Sequence, residues 1–167
     1  MEARDTLPHP IWITFTTIEH EGGSYTASVL LRDQSFTVFD VETTGLDPRA
    51  GHRIVEIGAV RIEGGIVNDT KPFQSLVNPE RPVPREAIRV HGIEDSSLQA
   101  SPTSMEVLPA FLEFASSSIL VAHNAPFDLS FLETEKESCW GYVDLPECLC
   151  TLELSRRLFP HERRHHL

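Results

Sequence analysis

The strongest pattern along the chain begins at residue 36. Phe36-Thr37-Val38-Phe39-Asp40-Val41-Glu42-Thr43 is β-branched and aromatic, apolar on both faces over its first half, and ended by Gly45. Such a run predicts a central strand covered on both sides. RIVEIGAVRI at 53–62 predicts a second strand, Gly64-Gly65 a two-residue hairpin loop, and residues 66–77 a third strand. The region therefore opens as an antiparallel three-strand meander. Helices follow. Pro82 and Pro84 stand before REAIRVH and Gly92 stands after it, the proline-first, glycine-last order that helices favour. Between 104 and 115, Val107, Leu108, Phe111, Leu112 and Ala115 recur at helical spacing. Residues 119–122 predict a short fourth strand. Asn124 is placed to cap a helix with Pro126 in its first turn and Phe127, Phe131 and Leu132 on its apolar face, and a last helix is expected over 151–159.

Residues 1–35 stand apart. Residues 11–16 alternate like a strand, Glu21-Gly22-Gly23-Ser24 reads as a turn, and residues 25–31 return as a second strand. No chemistry is visible there, so 1–35 is an N-terminal extension of unknown role, and residues 36–167 are the functional domain. The order of elements gives an α/β fold: a mixed sheet with helices packed on it.

Composition narrows the function. The chain has 167 residues, 40% apolar and 23% charged, enough for one domain with a real core. No apolar run approaches the roughly 20 residues of a membrane helix, and MEARDTLPHP lacks the basic start and apolar stretch of a secretory signal. The three cysteines, Cys139, Cys148 and Cys150, are odd in number and lack paired zinc spacing, which suits a reducing cytoplasm. Net charge is −11, and Lys71 and Lys136 are the only lysines. Bulk positive charge therefore cannot be what holds a nucleic acid. An acidic protein acting on polyanions needs a mediator, and a divalent metal held by carboxylates supplies one.

Asp40 and Glu42 are the first candidates for such ligands. Side chains at i and i+2 of a strand point to one face, their Cα atoms about two rises of ~3.3 Å apart. Two unpaired carboxylates on a buried strand are costly, and a hard cation offsets that cost directly. A strand end emerging into solvent would explain the pair equally simply. Glu56 lies inside the apolar strand 53–62 and reads as a structural or supporting acid rather than a ligand.

The flanking residues decide between these readings. DVETTGL at 40–46 is followed by IVEIGAV at 54–60, VHGI at 90–93, HNAPFD at 123–128, and TLELSR at 151–156 running on to Pro160. Together they resemble the DEDD superfamily of 3′→5′ exonucleases, most closely the proofreading epsilon branch of bacterial DNA polymerase III and its relatives. DVETTGL resembles the first exonuclease motif and HNAPFD the second. The resemblance covers about residues 36–167. It implies a ribonuclease-H-like fold and two Mg²⁺ or Mn²⁺ ions held by Asp40, Glu42 and Asp128. Asp40 would bridge both ions, Glu42 would serve the water side, and Asp128 the leaving-group side. Ions roughly 3.5–4 Å apart clamp the attacking and departing oxygens of a phosphodiester. Asp128 would also favour the dipole of its helix.

The resemblance also implies substrate contacts. Val41, Thr43 and Leu46 would line the pocket for the terminal nucleotide, Val90 and His91 would pack on the last bases, and His123, Asn124 and Phe127 would support the metal side. Taken from the residues alone, His91 is a favourable helix C-terminal histidine and Asn124 an ordinary N-cap. Arg81, Arg85 and Arg89 read as a solvated face. The basic tail (Arg156, Arg157, Arg163 and Arg164 with His161, His165 and His166) is either a phosphate contact or a surface helix end. The implied substrate is a single-stranded or frayed 3′ DNA end, with a replicative polymerase subunit as partner. An RNA exonuclease of the same fold and a non-catalytic binding relative are the competing readings.

One family feature is missing. The third motif, H-x4-D or Y-x3-D on a late helix, would supply a general base and a fourth carboxylate. Asp144 is the last aspartate in the chain, so no H-x4-D follows it. The domain is therefore expected to be incomplete at its C-terminus, either as a fragment or as a short form. Its metal binding should be weakened, and its hydrolysis slow or absent.

Overall fold

The computed structural model describes residues 12–16, 26–139 and 144–165. The expected turn at 21–24 and the terminal residues His166 and Leu167 lie outside the described residues. Among the described residues two sheets form. Strands β1 (Trp12–Thr16) and β2 (Thr26–Leu30) pair antiparallel as a separate two-stranded ribbon. The five-stranded sheet has the order β5-β4-β3-β6-β7, with β3 (Phe36–Thr43) at its centre. Strands β4 (Ile54–Glu63) and β5 (Ile66–Leu76) complete the antiparallel meander. Gly64 and Gly65 both take positive φ, 58° and 77°, as a two-residue hairpin requires.

The chain then runs through α1 (Arg85–His91), α2 (Asp95–Leu98) and α3 (Ser104–Phe114) before returning as β6 (Ile119–Ala122), parallel to β3. Helix α4 (Ala125–Cys139) leads to β7 (Cys148–Cys150), parallel to β6, and α5 (Thr151–Leu158) follows. Strand β7 and helix α2 are additions to the elements expected from periodicity. Three and four residues are too short to show a period, and only pairing with β6 makes Cys148–Cys150 a strand.

Odd-numbered residues of β3 face the main core. Phe39 and Val41, with Ile57 and Ala59 of β4, pack against Val107, Leu108 and Phe111 of α3 and Phe131 and Leu132 of α4. Phe111 anchors the layer, its ring 5.5 Å from Phe39 and 5.7 Å from Phe73. Each such fully buried side chain contributes roughly 1.5–3 kcal/mol. The even-numbered residues of β3, Asp40 and Glu42 among them, point to the other face. A mixed sheet with helices against it, opening on an antiparallel meander, is the ribonuclease-H-like α/β arrangement expected from the sequence.

Two differences are local. Arg53 was expected to begin the second strand but stands just outside it, held by Glu135 of α4. Asn124 does not cap α4 with its side chain. It has φ 64°, and its main-chain carbonyl accepts the Phe127 N–H at 2.9 Å. An N-cap residue needs extended backbone, and Pro126 removes one of the N–H groups a cap would serve.

Candidate active site

The site forms where the parallel strands end. Strand β6 pairs with β3 only as far as Val38, so the Val41 amide has no strand partner on that side. The carboxylate of Asp128, in the first turn of α4, takes it: Val41 N–H donates to Asp128 Oδ1 at 3.2 Å. Val41 lies between Asp40 and Glu42, so this one bond seats the third acid against the strand that carries the other two. Asp128 is 2% exposed.

A second carboxylate, seven residues along the same helix, fixes the seating. Glu135, 1% exposed, accepts from Arg53 Nε at 2.7 Å and Nη2 at 2.8 Å, and from the Ile54 N–H at 3.3 Å. Two helical turns separate Asp128 from Glu135, so both lie on one face of α4, and each grips backbone of the sheet. The sequence reading missed Glu135. The signal was there, in an acid at i+7 from Asp128 on an otherwise apolar face.

A register shift lies beside the acids. Glu42 pairs with Glu56 and Thr43 with Ile54, leaving Val55 as the extra residue of β4. The Val55 carbonyl instead accepts the Val77 N–H at 2.8 Å. Bulges bend a strand and re-aim the side chains next to them. Glu56 is therefore directly across from Glu42 on the acidic face, where Gln74 Nε2 donates to its Oε1 at 2.9 Å. Like charges so placed repel.

The electrostatics follow from this geometry. Burial, then the Asp40 charge, pushes the Asp128 carboxyl up to about 7. Asp40 is raised by burial and by Glu56, and Glu42 by burial, Asp40 and Glu56. Among the described residues, none of the three carboxylates forms an ion pair with a basic side chain. Three hard oxygen donors with uncompensated charge fit a divalent cation. Among the described residues, however, no group of three or more His, Cys, Asp or Glu side chains is arranged as it stands to hold a metal ion. Mg²⁺ does not need a dedicated all-protein cage, because it commonly binds through one or two carboxylates, several waters and substrate phosphates.

His123 and Asn124, just past the end of β6, line a cleft of about 670 Å³ with Asp40. Thr151 Oγ1 donates to the Ala122 carbonyl at 3.3 Å and lies 3.0 Å from His123 Nδ1. The His123 ring is thereby held at its Nδ1 edge beside the end of β6.

The remaining expected substrate residues divide. Phe127 packs against the core, its ring 5.1 Å from Phe131. The Val41 side chain belongs to the main core, and only its amide faces the acids. Thr43 is buried, its hydroxyl donating to the Gly45 carbonyl at 2.6 Å. Both side chains turn inward, as odd positions of β3 do. Leu46 and Val90 are each 84% exposed, and His91 Nδ1 accepts the Ile93 N–H at 3.0 Å. These three do not line the cleft that holds Asp40.

Gly45 adjoins the acidic strand for a steric reason. A Cβ there would lie 2.3 Å from the His52 ring, which is 3.2 Å from the Thr44 hydroxyl. Cys148 and Cys150 lie on the edge strand, and burial pushes the Cys148 thiol up to about 11.

Known proteins resemble this chain over most of its length. The chain is 43% identical over 127 residues to the DNA polymerase III subunit epsilon of Rickettsia conorii, a match covering 74% of this chain and 55% of the relative. It is 40% identical over 168 residues to a DNA polymerase III subunit epsilon-like protein of Rhodobacter capsulatus, covering 96% of this chain and 24% of that one. The chain thus spans about half the length of the first relative and a quarter of the second. Among solved structures, exonuclease X in complex with 5′ overhanging duplex DNA superposes with a TM-score of 0.62 at 31% identity, covering 77% of this chain and 66% of the other. The family model described as exonuclease, whose members are divalent-metal dependent, matches residues 37–167. With its central strand, its second-motif helix and nearly all of its five-stranded sheet inside that match, the chain belongs to the exonuclease family.

Proposed function

We propose that this chain is a 3′→5′ exonuclease of the proofreading type. It acts in the cytoplasm on a single-stranded or frayed 3′ DNA end beside a replicative polymerase subunit, and it releases nucleoside 5′-monophosphates. The observation that carries the reading is the Asp128 carboxylate hydrogen-bonded to the Val41 amide, between Asp40 and Glu42. The similarity to epsilon subunits and the DNA bound in the exonuclease X structure favour DNA as the substrate.

In this reading Asp40, Glu42 and Asp128 hold two Mg²⁺ or Mn²⁺ ions. When bound, such ions generate a nucleophile from water and offset the charge that builds on phosphorus. The protein's own part is positional. The Val41 amide and the Arg53–Glu135 pair fix α4 on the sheet, so the Asp128 carboxylate is held before any ligand arrives. His123, its Nδ1 held against the Thr151 hydroxyl, lines the same cleft as Asp40. Asn124 supplies an amide to the same cleft. Residues 1–35 are proposed to lie outside the catalytic domain of 36–167. No H-x4-D follows Asp128 in these 167 residues.

Titration with Mn²⁺, followed by calorimetry or paramagnetic relaxation, tests the reading. The expected result is saturable binding that is lost in Glu42→Ala, together with Mn²⁺-dependent mononucleotide release that is lost in Asp40→Ala. Wild-type protein without saturable Mn²⁺ binding would overturn it.

A further inference from the structure

The cleft that holds Asp40 also has a basic lining that the reaction described above does not use. Helix α5 ends at Leu158, and the chain turns back immediately. The Phe159 N–H donates to the Ser155 carbonyl at 2.8 Å, and the Glu162 N–H to the Phe159 carbonyl at 3.0 Å. Pro160, which offers no N–H, stands inside the turn. The reversal is tied down where it meets the helix again, because Ser155 Oγ and His165 Nδ1 are 2.9 Å apart. Arg163 and Arg164, just before His165, are thereby brought beside Arg156, just after Ser155. All three line the same cleft of about 670 Å³ as Asp40, His123 and Asn124.

The charge balance makes this arrangement informative. The chain carries 25 acidic residues against 14 basic ones. In such a protein an exposed arginine has many acids available to it, and Arg157, next to Arg156, does pair with Glu153. Among the described residues, Arg156, Arg163 and Arg164 pair with no acid, Asp40 of the same cleft included. Three unneutralised guanidinium groups therefore face one space. Their planar forks match phosphate oxygens, and arginine sheds its water more readily than lysine.

We infer that Arg156, Arg163 and Arg164 form a phosphate-binding wall for the sugar-phosphate backbone of the strand that enters the cleft. They contact phosphates other than the one at the carboxylates. The inference rests on the nuclease reading for its choice of polyanion. It adds the source of positive charge that an acidic protein needs to hold DNA without a metal. The wall is assembled from one residue of α5 and two of the returning tail, so it depends on the turn at Phe159 and the Ser155–His165 contact.

The test is fluorescence anisotropy of a labelled decathymidylate with the full chain in EDTA, at several salt concentrations. Each lost arginine–phosphate contact should lower the slope of log K against log salt by about 0.7, and should weaken binding about fourfold near physiological salt. Arg163→Ala/Arg164→Ala should therefore weaken binding about fifteenfold, while Arg163→Lys/Arg164→Lys restores most of the slope. Thermal denaturation of each variant checks that the fold is kept. Thymidine 5′-monophosphate, used as a competitor, separates the two sources of phosphate. Its own affinity should not change in the alanine variant. Equal loss of mononucleotide binding would assign the wall to the terminal nucleotide and overturn its placement on the entering strand. An unchanged slope, or no oligonucleotide binding by the wild type, would also overturn the inference. Mn²⁺ binding is measured on the same samples. Intact Mn²⁺ binding with no effect of the arginines defeats the wall and leaves the nuclease reading standing. Lost Mn²⁺ binding with arginine-dependent oligonucleotide binding does the reverse.

Discussion

Asp128→Asn removes a charge from the most buried of the three acids while leaving an oxygen to accept the Val41 N–H. The Asp128 carboxyl is raised from an ordinary 3.8 to about 7, chiefly by burial and then by Asp40. Below about pH 4 the folded and unfolded chains both keep this proton, and the group contributes nothing to stability. As pH rises past that point the unfolded chain ionises while the folded chain stays protonated. Stability therefore falls until the folded carboxyl also ionises, near pH 7. At 1.36 kcal/mol per pH unit the full loss is about 4 kcal/mol. Local relaxation and water entry reduce the figure, so a gain of about 2 kcal/mol or more is expected for Asp128→Asn at pH 8 in EDTA. For a domain of this size that is about 4–8 °C in Tm. The assay is urea or thermal denaturation of both proteins at pH 4 and pH 8, with and without Mn²⁺. At pH 4 the two should be equally stable. Mn²⁺ at about 100 times its Kd should return about 2.7 kcal/mol to the wild type and close the gap at pH 8. A variant no more stable than wild type at pH 8, or a difference that ignores pH, would refute the claim that Asp128 sits in uncompensated negative charge.

Two further outcomes follow from contacts around the site. Glu135→Ala should cost about 3 kcal/mol in urea denaturation, the lower end for breaking a buried pair, because Arg53 keeps partial exposure and Glu80 at 3.9 Å. Glu135→Gln, which keeps an acceptor for Ile54, should cost less. Cys148, with its thiol raised to about 11 by burial, should react with iodoacetamide at pH 7.5 far more slowly than a free thiol, as mass spectrometry of the native protein would show.

What the sequence carried was local or nearly so. The central strand Phe36–Thr43 was legible in full because its residues are mostly β-branched or aromatic and Gly45 closes it. Gly64-Gly65 gave the hairpin because two consecutive positive-φ positions suit few other residues. Asp40 and Glu42 were assigned to one face by the two-residue period of a strand, and the spelling of the two motifs tied Asp128 to them. Other features waited for the tertiary structure, because they depend on where distant segments meet. Asp128 reaches β3 only because β6 stops at the level of Val38 and leaves an amide unpaired 87 positions away in sequence. Glu135 is a core residue only because Arg53 arrives beside it. Asn124 reads as a cap in the sequence, yet it enters the cleft because the turn into α4 forces it to positive φ. Arg156, Arg163 and Arg164 are merely a basic tail until the chain reverses at Phe159 and Ser155 meets His165. A strand's period fixes which way side chains point, but which unpaired groups face one another is set by where neighbouring elements end, and no local pattern encodes that.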